Sequence, residues 1–174
     1  MMEFTKKERV LLINQYRILA GLNKDDEEHY SELIAILENG YEIFYSMVDE
    51  WISDDMPEEE GRFVLDILDF YRIVEDTKRS SKDSRLIEHP FSIFRGFDGN
   101  NESEYMSFAR FLINQQGKFS EQQDYLRKND NLNSHMPLVK TYKAMLREWE
   151  KMDKRTSLSV DEVISVLDAR RSAG

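Results

Sequence analysis

The sequence has no cysteine, only three prolines and only seven glycines in 174 residues. Without cysteine there are no disulfides, thiolate metal sites, iron–sulfur clusters or thiol nucleophiles. So little proline and glycine argues against collagen, low-complexity linkers and a loop-rich all-β fold. No apolar run approaches the ~18–20 residues that a membrane helix needs, and Met1–Lys7 lacks the apolar core of a signal peptide. These absences point to an acidic, water-soluble chain of the cytoplasm that engages no membrane. They do not point to disorder, because the apolar fraction of 40% with 10 Phe, 8 Tyr and 2 Trp supplies a sizeable core.

Positive charge is scarce in one region. Residues 21–60 carry 14 carboxylates against a single base, Lys24, so this stretch is −13 and the remainder of the chain +3. Such a field repels phosphate backbones and argues against direct nucleic-acid binding through residues 21–60. Two readings stay open. The acids form solvated faces and helix starts, or Glu28, Glu32, Glu38, Glu42, Asp49 and Glu50 make an acidic face for a basic, nucleic-acid-handling protein partner. Lys78, Arg79, Lys82, Arg85 and Arg95 collect in a basic stretch that reads as an irregular connection.

What is present in abundance is apolar spacing of three and four, the period of helices. Thr5 and Glu8 form a capping box opening a helix to about Ala20 that buries Leu12, Tyr16 and Leu19, flanked by Leu11 and Ile18. Tyr30, Leu33, Ile34, Leu37 and Tyr41 lie on one stripe, continued by Phe44, Val48 and Trp51 past a kink or joint at Asn39-Gly40. Pro57 with Glu58–Glu60 starts a helix bearing Phe63, Val64, Ile67, Leu68, Phe70, Tyr71 and Val74, ending near Asp76–Lys78. Asn101–Glu104 caps a helix with Tyr105, Phe108, Ala109 and Leu112, stopped by Gly117. Pro137 begins one burying Leu138, Tyr142, Met145, Leu146 and Trp149. Ser159 and Glu162 box the last, with Val160, Val163, Ile164 and Leu167. The expected fold is all-α: a compact bundle of about six or seven helices in one domain over residues 1–174. A loop is expected at about 77–100 and a surface segment at about 118–136.

The three histidines, His29, His89 and His135, stand far apart and outside any zinc or di-iron spacing, so each reads as a surface residue. The carboxylate pairs Glu38/Glu42 and Asp66/Asp69 fall on polar faces. Phosphate loops and serine elbows are missing. No catalytic, cofactor-binding or metal residue is nominated, and the chain reads as a non-enzyme. The densest chemistry is Phe94–Gly99 running into Tyr105 and Arg110. Arg95, Phe97, Asp98, Tyr105 and Arg110 are either a loop anchored on the core or the lining of a small pocket. Arg110, within the apolar run Phe108–Ile113, needs a partner if it is buried.

The ordered segments Glu8–Leu19 (ERVLLINQYRIL), Glu38–Tyr41 (ENGY), Phe94–Asp98 (FRGFD), Tyr105–Ile113 (YMSFARFLI) and Leu158–Ala169 (LSVDEVISVLDA) resemble the bacterial YfbU family over roughly residues 3–169. The resemblance implies a compact helical domain without an established catalytic activity, and it carries no functional residues across. Relatives fused to a preceding ribbon-helix-helix segment imply regulatory settings. This chain begins with its own first helix, so DNA binding is not carried over.

The function read from the residues is a protein-interaction or regulatory domain that associates with itself. Helices apolar on two sides, Phe63–Tyr71 and Tyr105–Ile113, are expected to be central or to pack against a second copy. The rival reading is an acidic decoy that occupies the nucleic-acid groove of a basic partner.

Overall fold

A computed structural model describes residues 3–173. The chain divides into two compact units, Met1–Asp55 and Met56–Gly174. Among the described residues every named element is helical, and the one β-type contact is an isolated parallel bridge between Phe97 and Asn133.

The first unit is a helical hairpin. Helix α1 (Lys6–Leu22) starts at the expected box: Thr5 Oγ1 accepts from the Glu8 amide, and the Glu8 carboxylate accepts from the Thr5 amide at 2.8 Å. A 3-10 turn, Lys24–Asp26, reverses the chain into α2 (Glu27–Asn39). Gly40 at φ +70 ends α2 in the left-handed region, resolving the joint at Asn39-Gly40 into a true break. Arg9 from α1 donates to the Leu37 carbonyl at 2.9 Å, placing a cation on the unpaired carbonyls of the α2 C-terminus. A 3-10 turn (Glu42–Phe44) and the single turn α3 (Ser46–Asp49) follow. The core consists of Ile13, Leu33, Ile36, Leu37, Tyr45 and Val48, with Phe4, Leu12, Tyr16, Ile34 and Met47 against it.

The second unit is built around α4 (Glu58–Ser81), which contacts α6, α8 and α9. Its elements are α5 (Ser84–Ile87), α6 (Ser103–Arg110) with a π turn at Phe111–Gln115, α7 (Gln123–Lys128), α8 (Val139–Glu150) and α9 (Val160–Asp168). Because α4 is surrounded, it buries Phe63, Val64, Ile67, Leu68, Phe70, Tyr71, Ile73 and Val74, a face far wider than one stripe. All five side chains expected to be buried from Pro137 onward are buried: Leu138, Tyr142, Met145, Leu146 and Trp149. Rings of Phe70, Tyr71, Phe94, Phe97, Tyr142 and Trp149 meet at centroid separations of 5.3–6.1 Å, the range of favourable tilted and edge contacts.

Several expectations need correction. Helix α4 does not end near Asp76–Lys78 but runs to Ser81. Lys78 is held there by Glu75 at 2.7 Å and by the Ser92 carbonyl at 3.0 Å, and Lys82 at φ +53 terminates the helix. Pro57 stands just before the first turn and not within it. The loop of about 77–100 carries the fully buried Leu86, Phe94 and Phe97. The surface segment of about 118–136 contributes Phe119, Gln122, Leu126 and Leu132 to the interior. His89 is not a surface residue. Its ring accepts from the Phe91 amide and lies 3.4 Å from Asp168, and burial lowers its pKa below the usual 6.5, so it is neutral at pH 7. Within α1, Ile13 takes the buried position, whereas Leu11, Ile18 and Leu19 stay exposed.

The capping box of α9 sets a pH dependence. The Ser159 amide, the Arg155 guanidinium and the Ser159 hydroxyl all favour the ionised Glu162, holding its pKa at about 2 against the ordinary 4.5. Its contribution is therefore complete above pH 4.5 and is lost as pH falls toward 2. Ser159→Ala should lower the urea midpoint by the equivalent of about 1 kcal/mol at neutral pH, with an unchanged m-value, and the gap between variant and parent should narrow in titrations below pH 4.5.

Candidate functional site

The segment Phe94–Gly99 is assembled from three directions. Gly96 adopts φ +80, and a Cβ there would lie 2.0 Å from the Leu132 carbonyl oxygen, so backbone occupies the space a side chain would need. The Phe97 amide donates to the Leu132 carbonyl, and the Ser134 amide donates back to the Phe97 carbonyl, each at 3.0 Å. Asn129 donates to the Phe94 carbonyl, Tyr142 donates to the Gly96 carbonyl, and Asn133 accepts from the Gly99 amide. The backbone facing this segment is itself unusual: Asp130, Asn131 and Leu132 have consecutive positive φ values of 43, 54 and 64, one left-handed turn. Each such residue costs about 1–2 kcal/mol, offset here by full burial of Leu132 and by the paired amides.

Glu102, which sequence reasoning placed in a helix cap, is the charged centre of the assembly. It is buried, and its carboxylate accepts from the amides of Asp98 at 3.1 Å, Leu138 at 2.9 Å and Val139 at 2.8 Å. The last two are unpaired amides at the start of α8, so one side chain satisfies that helix end and pins the loop before α6. Asp98, also buried, accepts from the Asn101 side chain and the Asn100 amide.

The five candidate pocket residues do not converge. Phe97 and Tyr105 meet at 5.6 Å within the aromatic core. Burial and then Glu60 raise the Tyr105 hydroxyl above its usual pKa. Arg95 is exposed, donates to the Pro90 carbonyl at 2.8 Å and lies over the Phe91 ring at 4.6 Å; it does not reach Asp98. Arg110 is not buried; it donates to the Asn131 carbonyl at 2.6 Å and braces the left-handed turn. A cavity of about 390 Å³ includes Arg95, Lys128, Asp130 and His135 but not Phe97, Tyr105 or Arg110. Among the described residues, no group of three His, Asp or Glu side chains is placed to hold a metal. The pair Asp66/Asp69 is divided, with Asp66 bound by Lys154 at 2.7 Å.

Of the six acids proposed as one face, all but Asp49 are exposed. Glu28 and Glu32 lie on the outer side of α2, and Glu38 turns to the flank, where Arg17 of α1 binds it at 2.7 Å. Glu42 and Glu50 are exposed beyond the Gly40 break, and Asp49 is half-buried. The surface feature that sequence reasoning missed is apolar. Val10, Leu11, Ile18, Leu19 and Leu22 on α1, with Tyr41, Ile43, Phe44, Trp51 and Ile52, are all at least 40% exposed. Among the described residues of the larger second unit, three large apolar side chains are exposed: Ile87, Phe111 and Met136. Of the two placements open to Phe63–Tyr71 and Tyr105–Ile113, central or packed against a second copy, these segments take the central one, in the core of the second unit.

Among the described residues no helix is long and apolar enough to cross a membrane. A family model described as the YfbU domain matches residues 2–169. A protein of Methanocaldococcus jannaschii named as a UPF0304 protein is 48% identical over 168 residues, spanning 95% of this chain and 99% of its own length.

Glu102→Gln should destabilise the chain by about 2–3 kcal/mol, because the three amides lose their charged acceptor. Gly96→Ala should cost more than about 3 kcal/mol through backbone strain and collision with Leu132. Urea denaturation followed by near-UV circular dichroism reads both.

Proposed function

Since the chain belongs to the YfbU family, we propose that it is a non-enzymatic interaction or regulatory domain that works by associating with itself. The supporting observation is the concentration of ten exposed large apolar side chains within Met1–Asp55. Monomeric proteins rarely expose apolar groups so densely, and surfaces of this kind mark association sites. The small core points the same way. Among the described residues this unit buries six apolar side chains, and a 55-residue unit is marginal on such a core, so covering its outer face adds stability that the fold lacks alone.

The rival, an acidic decoy for a basic partner, needs a contiguous row of free carboxylates. Two of the 14 acids of residues 21–60 are drawn into ion pairs, Glu38 with Arg17 at 2.7 Å and Glu58 with Arg62 at 2.6 Å, which favours this reading less. A hydrolase or transferase would need a buried carboxylate facing a cation across a cavity. Glu102 and Asp98 are instead occupied by backbone amides and by asparagine.

Sedimentation velocity on the full chain at micromolar concentration should give a dimer or higher species that dissociates on dilution. A strict monomer across that range would overturn the reading.

A further inference from the structure

From the self-association reading, on which the inference rests, we infer that the partner surface is the outward face of α1, paired antiparallel with the same helix of a second copy. Helix α1 carries two apolar stripes. One, centred on Ile13 with Leu12 and Tyr16, packs in the core of its own unit. The other holds Leu11, Ile18 and Leu22, which are 56%, 62% and 80% exposed. Positions 11, 15, 18 and 22 are spaced by four, three and four, the seam of a two-helix pair. Val10 and Leu19 flank this seam on either side. Arg17 is the sole charged residue between Val10 and Leu22, and it is turned to Glu38 on α2, so the outward face offers uncharged surface over most of the helix.

Three features select an antiparallel second copy. A two-fold axis between Asn14 and Gln15 sets Leu11 opposite Ile18 of the other copy, Lys7 opposite Leu22, and Asn14 opposite Gln15. These central amides each carry donors and an acceptor and are therefore self-complementary. The last turn of α1 contains no basic residue. Antiparallel pairing brings Lys6 and Lys7 of the second copy to that end, where cations meet the negative pole of the helix. Residues 23–28 beyond this end hold Asp25, Asp26, Glu27 and Glu28 against Lys24. Parallel pairing would place these acids against their own copies, whereas antiparallel pairing places them near the two lysines.

The absence of native cysteine permits a direct test. The full-length Lys7→Cys and Leu22→Cys variants are oxidised separately and as a mixture at a concentration where the parent sediments as an oligomer. The expected product is the mixed cross-link, several-fold in excess over either self-cross-link. Ile18→Glu should weaken association by about 30-fold or more, as loss of a central apolar anchor does. Its far-UV spectrum and thermal midpoint, read on dilute samples, should stay near the parent's because Ile18 is outside the core. Dominant Leu22→Cys self-cross-linking would overturn the antiparallel arrangement. An oligomer that forms no cross-link and ignores Ile18→Glu would overturn the α1 surface while leaving self-association standing. A parent chain that is monomeric throughout would overturn both.

Discussion

The second unit depends on one buried carboxylate. Glu102 joins the tight segment ending at Asp98 and the start of α6 to the first amides of α8, 36 and 37 residues further along the chain. A buried ion is costly unless it is paired or hydrogen-bonded. Here three backbone amides, which are fixed dipoles and cannot rotate away, supply the bonds. Around this point the remaining polar groups fall into place. Gly96 lets the backbone approach Leu132, the left-handed turn at Asp130–Leu132 presents its carbonyls, and Arg110 and Asn129 tie both sides. The aromatic rings then close over a backbone that is already satisfied. The density of chemistry in Phe94–Arg110 is the density of a structural joint.

Much of the fold was legible in the sequence because local rules and burial agree there. The Thr5 and Ser159 boxes form as spaced, and α8 buries the five residues its period selects. The joint was not legible. Glu102 sits in an Asn-Glu-Ser-Glu run that locally resembles an exposed helix start, and nothing nearby reveals that the amides it serves are 36 and 37 residues away. The segment before α8 did carry a signal. Asn129, Asp130, Asn131 and Asn133 are the residue types that tolerate positive φ, so a left-handed turn was a better reading than a solvated stretch. Leu132 in its midst is the anchor that draws the segment inward.

Helix α1 shows a different limit. Its apolar residues populate nearly the whole circumference, so periodicity establishes a helix without choosing the face that meets α2. That choice falls to Arg9 and Ile13. Arg9 must reach the end of α2 to bond the Leu37 carbonyl, and Ile13 lies one turn on from it. Once these are turned inward, Leu11, Ile18 and Leu22 have no place in the core of their unit. The two-sided helices of the second unit follow the opposite logic, since α4 has neighbours enough to cover it. Apolar surplus in sequence therefore marks a centre in one unit and an outer face in the other, and only packing distinguishes them.

Charge explains why an apolar outer face need not lead to indiscriminate sticking. Met1–Asp55 holds 13 acids and five bases, a net −8, against −2 for the rest of the chain. That charge opposes approach in most orientations. It acts through solvent and fades beyond about 8 Å at physiological ionic strength, so it filters encounters without preventing contact. Between Val10 and Leu22 the outward face of α1 has no local source of repulsion, because the only charge in that stretch, Arg17, faces Glu38. At its two ends the signs differ, with lysines before the helix midpoint and aspartates after it. In the antiparallel pairing proposed above, long-range repulsion is relieved at contact while apolar area is covered. Apolar area sets how tightly two such surfaces hold, and the placement of charge sets which geometry they accept.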